Sequence, residues 1–172
     1  MTETKNEMKS LRVEKVTVNI GVGEGGERLR KARQVLEAVT KQDAILTTSK
    51  TINKDWDIRK DMPIGCKVTL RGEKAEDFLK RALQTRNKKI ADWSFDEQGN
   101  VSFGIPDHTD FKEMKYDPNI GVFGMDVCVT IERPGFRVKK RRVQPRKIPK
   151  RHRITPEETM DFMEEAFDVE VV

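Results

Sequence analysis

The chain has 172 residues, with 34 Lys or Arg against 29 Asp or Glu and a formal net charge of +5. Its mean hydropathy is −0.71, and no segment approaches the roughly 20 apolar residues of a membrane span, so a soluble, membrane-independent protein is expected. The polar N-terminus argues against a signal peptide. Cys66 and Cys128 are therefore expected to be reduced, buried thiols rather than a disulfide.

Hydropathy patterning predicts alternating strands and helices in the first half of the chain. Strands are predicted at 16–22, 44–49 and 64–71, with helices at 27–41 and 75–82. In the first and third strands every second residue is apolar, which is typical of a strand with one buried and one open face. The polar, basic segment 50–62, with Trp56 near its middle, is predicted to be a long loop.

The second half is predicted to hold a hairpin, a long loop, a core strand and a final helix. These predictions fall on residues 93–105, 106–119, 125–131 and 155–168. Thr155, Pro156 and Glu158 fit an N-cap, a first-turn proline and a capping box. The mixed pattern indicates the α+β class: a two-layer sandwich with a mostly antiparallel mixed sheet, helices on one face and the other face open. We expect a flexible N-terminus over 1–10 and a single domain over 11–172.

One stretch of the sequence supplies the basic character. It contains eleven cations and no acid: Arg133, Arg137, Lys139, Lys140, Arg141, Arg142, Arg146, Lys147, Lys150, Arg151 and Arg153. Residues 154–172 have the opposite bias, with seven acids and no base. A block of cations this dense usually binds a polyanion, although a solvated tail without a partner is the alternative.

The predicted open faces of two strands carry short polar side chains and cations without an acid. They are Lys15, Thr17 and Asn19 on one strand and Lys67, Thr69 and Arg71 on the other. Such a face can lie against a sugar–phosphate backbone, because Lys and Arg neutralise phosphates while Thr and Asn bond to 2′-hydroxyls or base edges. Since aromatic residues are absent from both sets, recognition of folded RNA by shape is favoured over base stacking. An ordinary solvated face is the alternative.

A glycine motif offers a different interpretation, a nucleotide-binding enzyme. Gly21, Gly23 and Gly26 have the spacing of a dinucleotide-binding turn, and Asp43 follows about 20 residues later. However, polar residues interrupt the first strand, and a dinucleotide fold buries that strand on both faces. An ordinary strand-to-helix turn with positive φ is the simpler interpretation. No nucleophile accompanies the polar cluster at 107–110, so turn and cap chemistry is expected there, with no catalytic residue, cofactor or metal site.

Four segments resemble the universal large-subunit ribosomal protein five family, in its archaeal and eukaryotic branch. They are "VNIGVGEG" (18–25), "MPIGCKVTLRG" (62–72), "FGIPDHTDF" (103–111) and "YDPNIGVFGMDVCVTIERPGFRVKKRR" (116–142), with "KRHRITPEE" (150–158) pointing to the branch. The resemblance covers the chain from about residue 11 onward. It implies a non-enzymatic, structural constituent of the large subunit's central protuberance, on the cytoplasmic ribosome.

The resemblance also implies partners and site residues. Asn19, Gln42, Lys67, Thr69 and Arg71 would face 5S rRNA, and the basic stretch 133–153, expected to be extended until it meets RNA, would contact large-subunit rRNA. The loop 50–62 would approach the peptidyl-site (P-site) tRNA with its cations, which are Lys50, Lys54, Arg59 and Lys60. Another part, assigned to the loop 106–119, would bridge to a small-subunit head protein. The acidic last helix would pack on the chain or face a neighbouring central-protuberance protein. A free RNA chaperone is the remaining alternative.

Overall fold

The computed structural model describes residues 6–172. Its strands are β1 (Arg12–Gly21), β2 (Ile45–Thr48), β3 (Pro63–Leu70), β4 (Lys89–Ile90), β5 (Asn100–Ile105), β6 (Met125–Glu132) and β7 (Glu170–Val171). Its helices are α1 (Glu27–Thr40), α2 (Glu73–Thr85), α3 (Arg137–Lys140) and α4 (Pro156–Phe167). The prediction of a flexible segment over 1–10 falls partly outside the described residues. Within 6–10 the chain forms a short 3-10 helix at Glu7–Lys9, capped by the Asn6 side chain.

The main sheet has the order β2-β3-β1-β6-β5, and each pair of neighbouring strands is antiparallel. Thus β1 lies at its centre, between β3 and β6. A separate parallel pair, β4 with β7, ties the end of the chain to the segment after α2. The α+β class and the mostly antiparallel sheet are confirmed. The β4–β7 pair was not foreseen, because two-residue strands leave no periodic signal in the sequence.

The core lies between the sheet and the helices. In β1, Val16, Val18 and Ile20 are at most 1% exposed, and they point toward the same core as Leu36 of α1 and Phe78 of α2. The alternation of these residues with polar ones follows from the period of two in a strand, which sends successive side chains to opposite faces. The helices therefore cover one face of the sheet. None of the described helices has the length and apolar character needed to cross a membrane.

Of the predicted hairpin over 93–105, the turn and the second strand are confirmed, but the first strand is wrong. Residues 92–94 form a 3-10 turn that leaves Trp93 85% exposed, and a single bridge joins Phe95 to Val101. The strand β5 instead pairs with β6, more than twenty residues further along the chain. Two aromatic residues spaced by two could not distinguish a strand from this short turn.

The start of α4 is as predicted. Thr155 Oγ1 accepts a hydrogen bond from the Glu158 amide at 3.4 Å, and Glu158 Oε2 accepts one from the Thr155 amide at 3.1 Å. The helix buries Thr159, Met163 and Phe167, which leaves most of its acids on the outer side. The acidic helix therefore packs on the chain, as expected.

Candidate nucleic-acid interface

The sheet face opposite α1 and α2 carries the predicted polar residues in adjacent rows. Thr17 of β1 lies between Thr69 of β3 and Cys128 of β6. One pair further along, Asn19 lies between Lys67 and Asp126. The structure thus brings the central predicted residues, from two strands separated by about fifty residues in sequence, onto one surface.

The strands β2 and β5 extend this open face on both sides. Ile45 of β2 lies opposite Lys67 and is 66% exposed, and Ser102 of β5 lies opposite Cys128 and is also exposed. Near the other end, Lys15 and Asn100 flank Thr130. The residues from β5 and β6 were missed by sequence reasoning, although the alternation in "MDVCVTIE" placed Asp126, Cys128 and Thr130 opposite the apolar positions.

The two thiols differ in environment, and the expectation that both are buried is wrong for Cys128. Cys66 points into the core at 0% exposure, where burial raises its thiol pKa to about 11. Cys128 is free and exposed on the open face. Partial burial raises its pKa, and the neighbouring Asp126 carboxylate raises it further. Apolar residues flank Cys128 in sequence, but their side chains point to the other side of the sheet.

The expectation of an acid-free face is wrong at two places. Asp126 lies opposite Asn19, and Glu14 sits at a β-bulge between Val13 and Lys15. A bulge inserts one extra residue and redirects its side chain, so simple alternation could not place Glu14. The Glu14 carboxylate lies 3.2 Å from the Arg71 guanidinium and also contacts the Lys140 ammonium.

Burial opposes the ionisation of Glu14, but its two cationic neighbours outweigh that effect. The ion pair with Lys140 and the hydrogen bond from Arg71 hold the pKa of Glu14 below its ordinary value. Arg71, predicted to face RNA directly, is thus ion-paired within the protein while its side chain remains 60% exposed. Gln42 lies beside β3, because its Nε2 donates a hydrogen bond to the Thr69 carbonyl at 3.4 Å.

The loop 50–62 is a small hairpin rather than an irregular loop. Asn53 and Ile58 exchange two backbone hydrogen bonds of 2.9 Å, and Ser49 bonds to Asp61 and Met62 at the base. Trp56 lies at its tip and is 72% exposed. The four predicted cations are all exposed: Lys50, Lys54, Arg59 and Lys60.

Ten of the eleven cations in the basic segment 133–153 are exposed, but Arg133 is buried. Its Nη2 donates to Glu158 Oε1 at 2.6 Å and its Nη1 to the Arg153 carbonyl at 3.2 Å. These contacts leave Arg133 no free face for a phosphate, so its assignment to RNA is withdrawn. The sequence alone could not separate Arg133 from its neighbours, because its partner lies 25 residues away.

The basic segment is folded back on the domain and is not extended throughout, contrary to expectation. It contains α3 and a 3-10 turn at Lys150–His152. The Arg146 amide donates to the Val138 carbonyl at 3.1 Å, and His152 Nε2 lies 3.0 Å from the Pro134 carbonyl oxygen. Proline and charge content suggested an open tail, but these local turns bring the segment against the end of the sheet.

The basic segment and the open face form the two walls of one cleft of about 530 Å³. Lys15, Asn100 and Thr130 line it from the sheet, while Lys139 and Lys147 line it from the basic segment. The two surfaces that the sequence predicts to bind RNA are therefore contiguous. Within residues 6–172, no group of three His, Cys, Asp or Glu side chains is arranged to hold a metal ion.

The glycine turn is poorly suited to a phosphate. The amides of Val22 and Gly23, which a phosphate-binding turn would direct at its ligand, both donate to the Ile64 carbonyl at 3.0 and 2.9 Å. Gly26 is the N-cap of α1 with φ 103°, and Gly23 has φ 82°. Both neighbours of β1 are antiparallel, unlike the parallel sheet of a dinucleotide fold. The glycines make a strand-to-helix turn.

The polar cluster at 107–110 has the cap chemistry predicted for it. The Asp107 side chain caps a 3-10 turn by accepting from the Thr109 amide at 2.8 Å. His108 is 1% exposed, and its Nδ1 accepts from the Phe123 amide at 3.3 Å. His108 therefore holds the loop 106–119 onto the core.

Comparison with known proteins gives the family. A model described as "Ribosomal protein L5" matches residues 6–59, and a second model, for the C-terminus of the same ribosomal protein family, matches residues 63–162. The chain is 52% identical over 172 residues to "Large ribosomal subunit protein uL5" of Sulfurisphaera tokodaii, covering 99% of this chain and 97% of that protein. It is 50% identical over 167 residues to the protein of the same name from Methanobrevibacter smithii, covering 97% and 98%. The chain belongs to the ribosomal protein L5 family.

Family membership confirms the resemblance found in the sequence. A protein of the L5 family is a structural constituent of the ribosome and not an enzyme, so the nucleotide-enzyme alternative is wrong. The two matched segments share one sheet, because β1 from the first lies between β3 and β6 from the second. The open face of this L5-family chain is thus assembled from both segments.

Proposed function

We propose that this chain binds 5S rRNA through the open face of the five-stranded sheet, as a constituent of the central protuberance of the large subunit on the cytoplasmic ribosome. The observation that carries the proposal is the alignment of Thr17, Asn19, Lys67 and Thr69 in adjacent rows of an uncovered sheet. Neighbouring strands are about 4.8 Å apart. The rows therefore present hydrogen-bonding groups at a spacing that a sugar–phosphate backbone can follow.

The chemistry of this face suits a folded RNA. Lys67 supplies a positive charge for phosphate, while Thr17, Thr69 and Asn19 can bond to 2′-hydroxyls or to base edges in a shallow minor groove. Asp126 is the exception, because its carboxylate repels phosphates. We infer that the RNA phosphates lie nearer to Lys67 than to the Asp126 carboxylate, while the RNA still covers the row that contains Thr17 and Cys128.

The exposed cations of the basic segment are proposed to neutralise phosphates of the large-subunit rRNA. All ten lie within residues 137–153, and four of them line the cleft beside the open face: Lys139, Lys140, Lys147 and Arg153. A protein that neutralises several phosphates releases the counterions bound to them, so its affinity falls steeply with salt. The contact with 5S rRNA and the contact with large-subunit rRNA would then adjoin each other.

Three further contacts are proposed at the periphery of the domain. The hairpin 50–62 would approach the P-site tRNA with its exposed cations and Trp56, although Asp55 and Asp57 lie beside Trp56 and oppose a close phosphate contact. The loop 106–119 would reach a small-subunit head protein. The outer acids of α4 would face a neighbouring central-protuberance protein, since an RNA would be repelled there.

The direct test is binding to isolated 5S rRNA, measured by fluorescence anisotropy over a series of salt concentrations. A scrambled RNA of equal length is the control. We expect tighter binding to 5S rRNA and a log Kd that rises linearly with log salt. Equal affinity for both RNAs would overturn the proposal, and failure to co-sediment with large subunits would point to a free RNA chaperone instead.

A further inference from the structure

Two nearly buried carboxylates lie within the surface proposed to bind RNA. The Glu14 side chain is 11% exposed and the Glu132 side chain 10%. Both contact the Lys140 ammonium, which is 3.2 Å from Glu132 Oε2. Arg12 and Arg71 complete the group at 2.8 Å from Glu132 Oε1 and 3.2 Å from Glu14 Oε1. We call these five residues the anchor network.

The anchor network joins the sheet to the basic segment. Glu14 and Arg12 belong to β1 and Glu132 ends β6, whereas Lys140 ends α3 inside the basic segment. Lys140 thus connects the segment to two strands at once. The cleft lined by Lys15, Lys139 and Lys147 lies beside this connection and is bordered by both carboxylates. The position of the cleft wall therefore depends on where Lys140 is held.

We propose that Glu14 and Glu132 are positioning residues for RNA binding: they hold the basic segment against the end of the open face, so that the two cationic surfaces form one continuous site. This inference rests on the proposed function, binding of 5S rRNA. It assigns a favourable role to two acids, although a phosphate repels a carboxylate at close range.

The physical reason is preorganisation. A segment with ten exposed cations repels itself and would sample many conformations if it were released. Association loses free energy whenever it must order such a segment, so a segment already fixed binds more tightly for the same contacts. Because Lys140, Arg12 and Arg71 neutralise the two carboxylates, the acids present little net negative charge to an approaching RNA.

If the two carboxylates instead compete with RNA for the cations, the affinity for RNA should change in the opposite direction. If the carboxylates merely occupy cations that RNA phosphates must capture, removing a carboxylate frees a cation and strengthens binding. If they position the segment, removing one weakens binding despite a more positive net charge. The sign of the change in affinity therefore decides between the two.

The test compares Glu14→Gln with Glu97→Gln. Glu97 lines the same cleft and is exposed, and among the described residues no cation lies within 4 Å of its carboxylate, so the control removes the same charge without releasing the segment. For Glu14→Gln we expect binding to 5S rRNA about tenfold weaker, which corresponds to about 1.4 kcal/mol. For Glu97→Gln we expect unchanged or slightly tighter binding. Tighter binding by both variants would overturn the proposal.

Limited proteolysis of the free protein tests the anchor without RNA. Glu14→Gln should speed tryptic cleavage within residues 139–147 by roughly fivefold or more, as expected for about 1 kcal/mol of lost local stability. The thermal unfolding midpoint should change little. An unchanged cleavage rate would overturn the positioning role of the anchor network, whatever the result with RNA. Faster cleavage in a protein that shows no preference for 5S rRNA would overturn the proposed function alone.

A double-mutant comparison tests whether Glu14 acts through Lys140. Lys140→Met removes the cation and leaves each carboxylate one arginine partner. If the carboxylates act through Lys140, the double variant Glu14→Gln/Lys140→Met should bind 5S rRNA no more weakly than Lys140→Met alone. The reason is that the effects of residues in one network are not additive. Additive losses would show that Glu14 does not act through Lys140.

Discussion

Replacing Arg133 by Met should destabilise the protein, because this arginine supports the fold rather than an RNA. Its side chain is 8% exposed and donates to Glu158 Oε1 at 2.6 Å and to the Arg153 carbonyl at 3.2 Å. Breaking a buried ion pair typically destabilises by about 3–5 kcal/mol. Because the Glu158 side chain is 41% exposed, water can solvate its carboxylate after Arg133 is removed, which reduces the loss of stability.

Two further features lower the expected loss. Arg133 Nε has no hydrogen-bond partner among the described residues, so the substitution also removes an unpaired buried donor. Met fills part of the vacated volume. We therefore expect a loss of about 2 kcal/mol in the free energy of unfolding. For a chain of this length that lowers the unfolding midpoint by roughly 4–8 °C.

The assay is thermal unfolding followed by circular dichroism, with Arg137→Met as the matched control. Arg137 is exposed at the start of α3, and no carboxylate of the described residues lies within 4 Å of it. Its replacement should change stability by no more than about 0.5 kcal/mol and should instead weaken RNA binding. Equal midpoints for the two variants would refute the assignment of Arg133 to the fold.

Other substitutions test the interface, the core and the stability in acid. Lys67→Ala should weaken binding to 5S rRNA and reduce the slope of log K against log salt by about 1, measured by anisotropy, and an unchanged slope would remove Lys67 from the interface. Leu36→Ala should cost about 2–5 kcal/mol in urea unfolding because Leu36 is 0% exposed, whereas Ile45→Ala on the open face should cost less than about 0.5 kcal/mol. Burial disfavours the ionised Glu158 carboxylate, but hydrogen bonds from the Thr155 amide and Arg133 hold its pKa below the ordinary 4.5. The contribution of Glu158 to the free energy of unfolding is therefore present above pH 4.5 and is lost as the pH falls through the lowered pKa. Glu158→Gln should abolish that part of the acid-side loss in a urea series from about pH 3 to about pH 6, which spans the ordinary value of 4.5 and the range below it. A profile identical to the parent's would contradict the pairing.

Features encoded by neighbouring residues were predictable from the sequence. Apolar alternation placed β1, β3 and β6 with their inward faces, because a strand repeats every two residues. The capping box at Thr155 and Glu158 was also predictable, because both of its residues lie within one helical turn. The polar rows on β1 and β3 followed from the positions left between the apolar residues.

Features set by distant partners were not predictable. The burial of Arg133 depends on Glu158 of α4, and the position of Glu14 depends on a bulge formed with β6. Cys128 was expected to be buried because its sequence neighbours are apolar, whereas strand pairing places it beside Thr17 on the open face. The β4–β7 pair likewise joins segments about eighty residues apart. In each case the local pattern allowed more than one partner.

Alkylation of Cys128 tests the central claim, that the open face binds 5S rRNA, most directly. Cys128 is exposed beside Thr17, while Cys66 is at 0% exposure with a thiol pKa of about 11, so a maleimide should label Cys128 alone. A Cys128→Ser variant carrying Lys80→Cys, on the outer side of α2, reports on the helical face. We predict that saturating 5S rRNA protects Cys128 and leaves the cysteine at position 80 reactive. Labelling of Cys128 at an unchanged rate in the complex would contradict the account.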